Sequence, residues 1–180
     1  MLDLAPYLGP CRVIHAWGMR SIGQGERLIR WAHLAHRIDA DLPPRVLLRT
    51  CAQARFDHVD PALAAFAPET IERLADLGVQ LIGIDSGSID PPGSKQSPSR
   101  QVIRRRGLRV LESLVLDEVP EGDYELIALP LKWMSADTSP VRAVLRELTP
   151  SGRVSLALPA PEDPAFADTP FENSRPRDLD

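Results

Sequence analysis

"PETIERLADLGVQLIGID", Pro68 to Asp85, changes its hydrophobic period halfway. Pro68 and Glu69 suit a first helical turn, and Gly78 suits the cap after a last one. The spacing therefore predicts a helix up to Gly78. Val79 to Asp85 follows at once as a continuous apolar run, the pattern of a strand covered on both faces. A helix feeding directly into a fully buried strand is the signature of an α/β domain. The polar run "SGSIDPPGSK" then leaves that strand's carboxyl end, where α/β proteins often place sites.

Other segments fit the same class. "CRVIHAW" (Cys11 to Trp17) and "RVLLRTC" (Arg45 to Cys51) read as strands, and "MRSIGQGE" as a loop. Glu26 to Ile38 places Leu28, Trp31, Ala32, Ala35 and Ile38 at helical spacing, and "DLPP" would end that helix. "ARFDHVDPALAAF" reads mostly as loop. A second helix is expected from about Gln101 to Leu111. "LVLDEV", the turn "PEGD" and a strand over Tyr124 to Trp133 follow, and "SPVRAVLREL" could be strand or helix, its Val and Leu content and its place after a strand favouring a closing strand. Residues 150–180 hold six of the 18 prolines and no clear period, so a disordered tail is expected after a domain over 1–149.

Bulk numbers narrow the partners. The 180 residues are 43% hydrophobic, enough for one real core, and the net charge is −4 with a pI near 5.6. Arg100, Arg104, Arg105, Arg106 and Arg109 are thus a local cluster on a mildly acidic chain. No aromatic residues interleave with them for base stacking, and the expectation is no nucleic acid. On a helix over 101–111, Ile103, Gly107, Val110, Leu111 and Leu114 would share one face. Arg105, Arg109 and Glu112 would form a solvated edge with weak local ion pairs. Cys11 and Cys51 lie in apolar runs, outside any metal or redox spacing, and read as buried free thiols. No stretch is apolar enough to span a bilayer, and "MLDLAPYLGP" lacks a signal-peptide pattern, so a cytoplasmic protein is expected.

Three small motifs carry little chemistry. His33 and His36 stand at i and i+3 and could share a metal on a helix, but no carboxylate completes that site by spacing, and surface histidines are the simpler reading. "GQGERL" (Gly23 to Leu28) lacks the third glycine and the Lys-Ser/Thr ending of a phosphate loop, and reads as a turn. Ser86 and Ser88 in "GIDSGS" do not fit a nucleophile elbow and read as loop caps.

Longer stretches are more specific. "YLGPCRVI", "PPRVLLRT", "FAPETIERLADLGVQLIGID" and the run from "SKQSPSRQVIRRRGLRVLESL" through "GDYELIALPLK" to "SPVRAVLREL" closely resemble bacterial kynurenine formamidases. These belong to the cyclase-type metal-dependent hydrolases. The resemblance covers about Asp3 to Leu148. It implies a mixed β-sheet or barrel with flanking helices. It also implies a homodimer, and hydrolysis of N-formyl-L-kynurenine to L-kynurenine and formate in tryptophan breakdown. The cofactor implied is zinc or another divalent metal, held by histidines and carboxylates beside an activated water.

The chain departs from that pattern twice. The family's motif H-x-G-T/A-H-x-D-x-P-x-H precedes "YLGPC" and has no counterpart in these residues, so an incomplete domain lacking N-terminal strands is expected. The family also reads S-K-x-x-x-x-H where this chain reads "SKQSPSR", which puts Arg100 at a metal-binding histidine position. Glu112 keeps the family's metal-binding glutamate, and no residue is assigned a catalytic role. A guanidinium offers a metal no lone pair. Twelve residues of straight helix span about 18 Å, so Arg100 and Glu112 could meet only through a bend, expected before the helix at Pro98. Two readings follow. One is a formamidase by descent that is inactive or nearly so as it stands. The other is a non-catalytic remnant, or a subunit needing a partner that supplies the missing motif, with an unpaired sheet edge prone to association.

Overall fold

The computed structural model describes residues 3–17, 27–53, 64–132 and 138–148. A 3-10 turn at Ala5–Tyr7 leads into β1 (Leu8–His15). The short β2 (Arg27–Ile29) is followed by 3-10 turns at Trp31–His33 and Ala35–Arg37, then by β3 (Arg45–Arg49). β4 (Ala64–Phe66) precedes α1 (Pro68–Asp76) and β5 (Leu81–Ile84). α2 (Pro98–Arg106) runs into β6 (Arg109–Leu111), and β7 (Gly122–Ile127) and β8 (Val144–Glu147) close the order.

Six strands form one mixed sheet in the order β6-β5-β3-β1-β7-β8. β1, β3, β5 and β6 run parallel, with Ile14 opposite Leu48, Leu47 opposite Gly83, and Ile82 opposite Val110. β7 and β8 add on antiparallel, so the strand expected in "SPVRAVLREL" is present as an edge. Side chains of successive strand residues point to opposite faces. Ile14, Val46, Leu48, Ile82 and Ile84 accordingly join one core beneath the helices, with Ile71, Leu74, Val102 and Ile103. Cys11, Val13, Leu47, Leu81 and Leu126 join a second core on the other face, with Leu111 and Leu114. This double covering is why "VQLIGID" is apolar at consecutive positions. Gly83 belongs to the same demand: a Cβ there would lie 2.5 Å from Leu47 Cδ2 and 2.8 Å from Leu114 Cδ1.

Three expectations are corrected. The helix over Glu26 to Ile38 is absent from its described part, 27–38, which holds β2 and two 3-10 turns. The helical spacing of Leu28, Trp31, Ala32, Ala35 and Ile38 misleads because the fully buried anchors are Ile29 and Leu34. β2 pairs in parallel with β4, and the Ile29 carbonyl accepts from the Ala67 N–H (3.1 Å) and the Thr70 hydroxyl (3.1 Å). Non-local pairing thus overrides the local period. Ala64–Phe66, expected as loop, is that buried partner strand, while 54–63 lie outside the described residues. So do 18–26, which hold the whole expected loop "MRSIGQGE", and the tail from 149 onward.

The third correction concerns the arginine helix. It ends at Arg106, because Gly107 adopts φ +69°, the left-handed conformation that closes helices. The Leu108 N–H bonds back to the Ile103 carbonyl at 3.1 Å, the long bond of a Schellman cap. Val110 and Leu111 therefore lie in β6 and not on a helical face with Ile103.

Candidate functional site

The turn at Gly107 reverses the chain, and this reversal brings Arg100 to Glu112. Arg100 lies in the first turn of α2 and Glu112 directly after β6. Arg100 Nη2 donates to Glu112 Oε1 at 2.6 Å. The bend expected before the helix is thus found after it. Glu112 Oε1 also accepts from the Ile89 N–H at 3.0 Å. Asp90, missed in the sequence, completes the cluster. Its carboxylate accepts from the Ser99 N–H (2.8 Å) and the Arg100 N–H (3.3 Å), and lies 3.6 Å from Arg100 Nε. Asp90 is 4% exposed, and the Arg100 side chain 41%. The signal available in the sequence was an aspartate within the polar loop, eight residues before a proline-started helix.

An open groove of about 840 Å³ runs past this cluster, lined by Tyr7, Arg100, Arg104, Arg109, Glu112 and Ser139 among others. The remaining arginines do not form the expected solvated edge with Glu112. Arg105 pairs with Glu72, and Arg106 with Glu72 and Asp76, so both tie α2 to α1. Arg109 points its Nη1 to the Gly107 carbonyl at 3.1 Å.

A second carboxylate sits at the carboxyl end of β5. Asp85, 5% exposed, accepts from the Thr50 N–H (2.7 Å), the Thr50 hydroxyl (2.6 Å), the Cys51 N–H (3.1 Å) and the Cys51 thiol (3.2 Å). It splices the ends of β3 and β5. Ser86 and Ser88 cap the loop as read: Ser86 Oγ donates to the Ser88 carbonyl, and Ser88 Oγ accepts from the Asp90 N–H, each at 3.2 Å.

Cys11 is buried and free as expected, whereas Cys51 is free but only half-buried. Burial pushes both thiols up to about 12, with neighbouring Asp85 adding to the effect at Cys51. His33 and His36 fall on separate 3-10 turns and share no site. His33 Nδ1 accepts from the Arg30 N–H at 2.9 Å, and burial, then Arg30, lowers its pKa. His36 Nε2 lies 3.0 Å from Glu121 Oε1, which also accepts from the His15 N–H at 2.8 Å. Elsewhere Arg12, 5% exposed, grips Asp123 with two bonds of 2.6 and 2.8 Å and reaches Asp39 at 2.8 Å, fastening β1 to β7.

Comparison with known proteins places this architecture. The chain is 66% identical over 148 residues to the kynurenine formamidase of Paracidovorax citrulli, covering 81% of this chain and 66% of that protein. It is 65% identical over 147 residues to that of Delftia acidovorans, covering 82% and 66%. It is 58% identical over 147 residues to that of Bordetella avium, covering 82% and 67%. The chain belongs to the kynurenine formamidase family. It spans slightly under two thirds of the length of the first two of these relatives. No protein-family model matches it. Two solved structures share its fold. One is a potential metal-dependent hydrolase with cyclase activity (26% identity, TM-score 0.68, 82% of this chain and 69% of that one). The other is a predicted metal-dependent hydrolase from Bacillus stearothermophilus (26%, 0.64, 79% and 65%).

A kynurenine formamidase homologue of this kind raises the question of a metal at Glu112, and the residues present do not fit one. The Glu112 oxygen that faces the cluster already accepts two hydrogen bonds, one from a permanent cation. Arg100 has no lone pair to offer. Among the described residues, no group of three His, Cys, Asp or Glu is placed to hold a metal ion. None of the helices among the described residues is long and apolar enough to cross a membrane.

Proposed function

We propose that this chain is built for the chemistry of its relatives, hydrolysis of the formamide of N-formyl-L-kynurenine to L-kynurenine and formate, and that as it stands it performs that reaction poorly. Sequence identity of 55–66% to proteins named kynurenine formamidase supports the substrate class. The Arg100–Glu112 pair is the observation that carries the loss of activity. In this reading Glu112 occupies a metal-ligand position of the family and Arg100 the position of a histidine. A fixed positive charge there repels a second cation. Zinc as the metal of the active relatives, a homodimer and a cytoplasmic setting belong to the same proposal. The edge strand β8, with Val144 44% exposed, is a surface consistent with self-association.

The test is formate release from N-formyl-L-kynurenine by the purified chain with added zinc or manganese. A rate about a hundred-fold or more below that of a relative carrying the H-x-G-T/A-H-x-D-x-P-x-H motif is expected, since the metal supplies several kcal/mol of transition-state stabilisation. Turnover near the relative's would sink the proposal.

A further inference from the structure

We propose that Arg100 has taken over the structural duty of a metal: its guanidinium is the cationic centre that joins Asp90, Glu112 and the start of α2, so this part of the fold holds together without a divalent ion. The inference rests on the correspondence of Arg100 and Glu112 with family ligand positions given above.

Three observations converge on it. First, the cluster contains two carboxylates, one 4% exposed, and Arg100 is the cation that faces both, at 2.6 Å from Glu112 and 3.6 Å from Asp90. Two such carboxylates without a cation would oppose each other's charge. A metal would remove that repulsion, and so does a guanidinium. Second, the contacts cross the fold. Asp90 belongs to the loop after β5, Arg100 to α2, and Glu112 to the exit of β6, so one side chain ties together three segments. Third, the backbone is fitted to the same cluster: Ile89 N–H points at Glu112, and Ser99 and Arg100 N–H point at Asp90. Ser99 is fully buried and its hydroxyl donates to the Phe66 carbonyl at 2.8 Å, so the first turn of α2 is anchored to β4 as well. An arginine satisfies this arrangement with planar, directional donors that a bound metal lacks.

The experiment pairs a metal titration with a double-mutant cycle. Zinc chloride and manganese chloride are titrated into the purified chain, followed by calorimetry and by thermal unfolding. Thermal unfolding is then compared for the wild type, Arg100→Met, Glu112→Gln and the double variant. Saturable binding would raise the Tm with metal concentration. The expected result is no saturable binding and a Tm unmoved by either metal. Each single variant should melt about 2–4 °C or more below the wild type, and the double variant should fall by less than the sum. If Arg100→Met does not fold, Arg100→Lys, which keeps a charge but loses the fork, takes its place in the cycle. Metal binding at one site per chain that Glu112→Gln abolishes overturns the proposal, as do strictly additive variants. The two readings separate cleanly: an active chain that binds no metal through Glu112 defeats the functional proposal alone, while an inactive chain that binds metal through Glu112 defeats the brace alone.

Discussion

The Asp85 carboxylate receives both the backbone N–H and the hydroxyl of Thr50, at 2.7 and 2.6 Å, across the parallel join of β3 and β5. It also receives the N–H of Cys51, so one buried side chain terminates two neighbouring strands. Asp85→Ala leaves these donors without their acceptor and should cost about 2–3 kcal/mol in urea unfolding. A loss under about 0.5 kcal/mol would show that the strand ends hold together without it.

Gly83 faces Leu47 and Leu114 so closely that an added methyl must displace both of them. Both are buried, so neither can move freely. Gly83→Ala should therefore destabilise by about 1–3 kcal/mol despite alanine's better conformational entropy, measured by the same unfolding curves. A neutral or stabilising result would mean that the second core is looser than described.

Glu121 gives a pH prediction. Burial pushes its carboxyl up, but the His15 N–H, His36 and Arg37 outweigh burial and hold it below the ordinary 4.5. A carboxyl depressed on folding adds stability that is present above its unfolded value and is lost as pH falls through the folded one. Glu121→Gln should thus be less stable than the wild type at pH 7, and the gap should shrink steadily below about pH 4.5. A gap that is constant from pH 7 to pH 3 would remove Glu121's charge from the account.

The thiols test burial directly. With both pushed up to about 12, only about one molecule in ten thousand carries a given thiolate at pH 8. Iodoacetamide should modify Cys11 and Cys51 at least a hundred-fold faster in urea than in the folded chain. Modification of Cys51 in the folded chain at the unfolded rate would mean that its contact with Asp85 is not kept in solution.

Arg100→His tests where the family site lies. In a chimera preceded by a relative's H-x-G-T/A-H-x-D-x-P-x-H segment, Arg100→His should raise manganese affinity about ten-fold or more over the same chimera with arginine. Equal affinities would show that position 100 lies away from the metal.

Local chemistry made much of this legible before any tertiary contact was considered. Pro68 and Gly78 bracket α1 because a helix start tolerates a missing N–H and a helix end favours a residue free to turn left-handed. The unbroken apolar run through Ile84 marks a strand sandwiched between two cores. Arg100 and Glu112 could be singled out by resemblance alone. The sequence could not say that Leu28, Trp31 and Ile38 form no helical face, because that outcome depends on β2 finding β4 more than thirty residues away. Nor could it place the bend. Gly107 was counted on a helix face, although its freedom at positive φ is what ends α2 and starts β6. The same reversal turns a twelve-residue separation into a 2.6 Å ion pair and recruits Asp90 from the preceding loop. Periodicity reports what each segment buries, which the chain determines residue by residue. Which distant charges must share one small volume is decided only when the segments pack, because that is where desolvation and pairing act together.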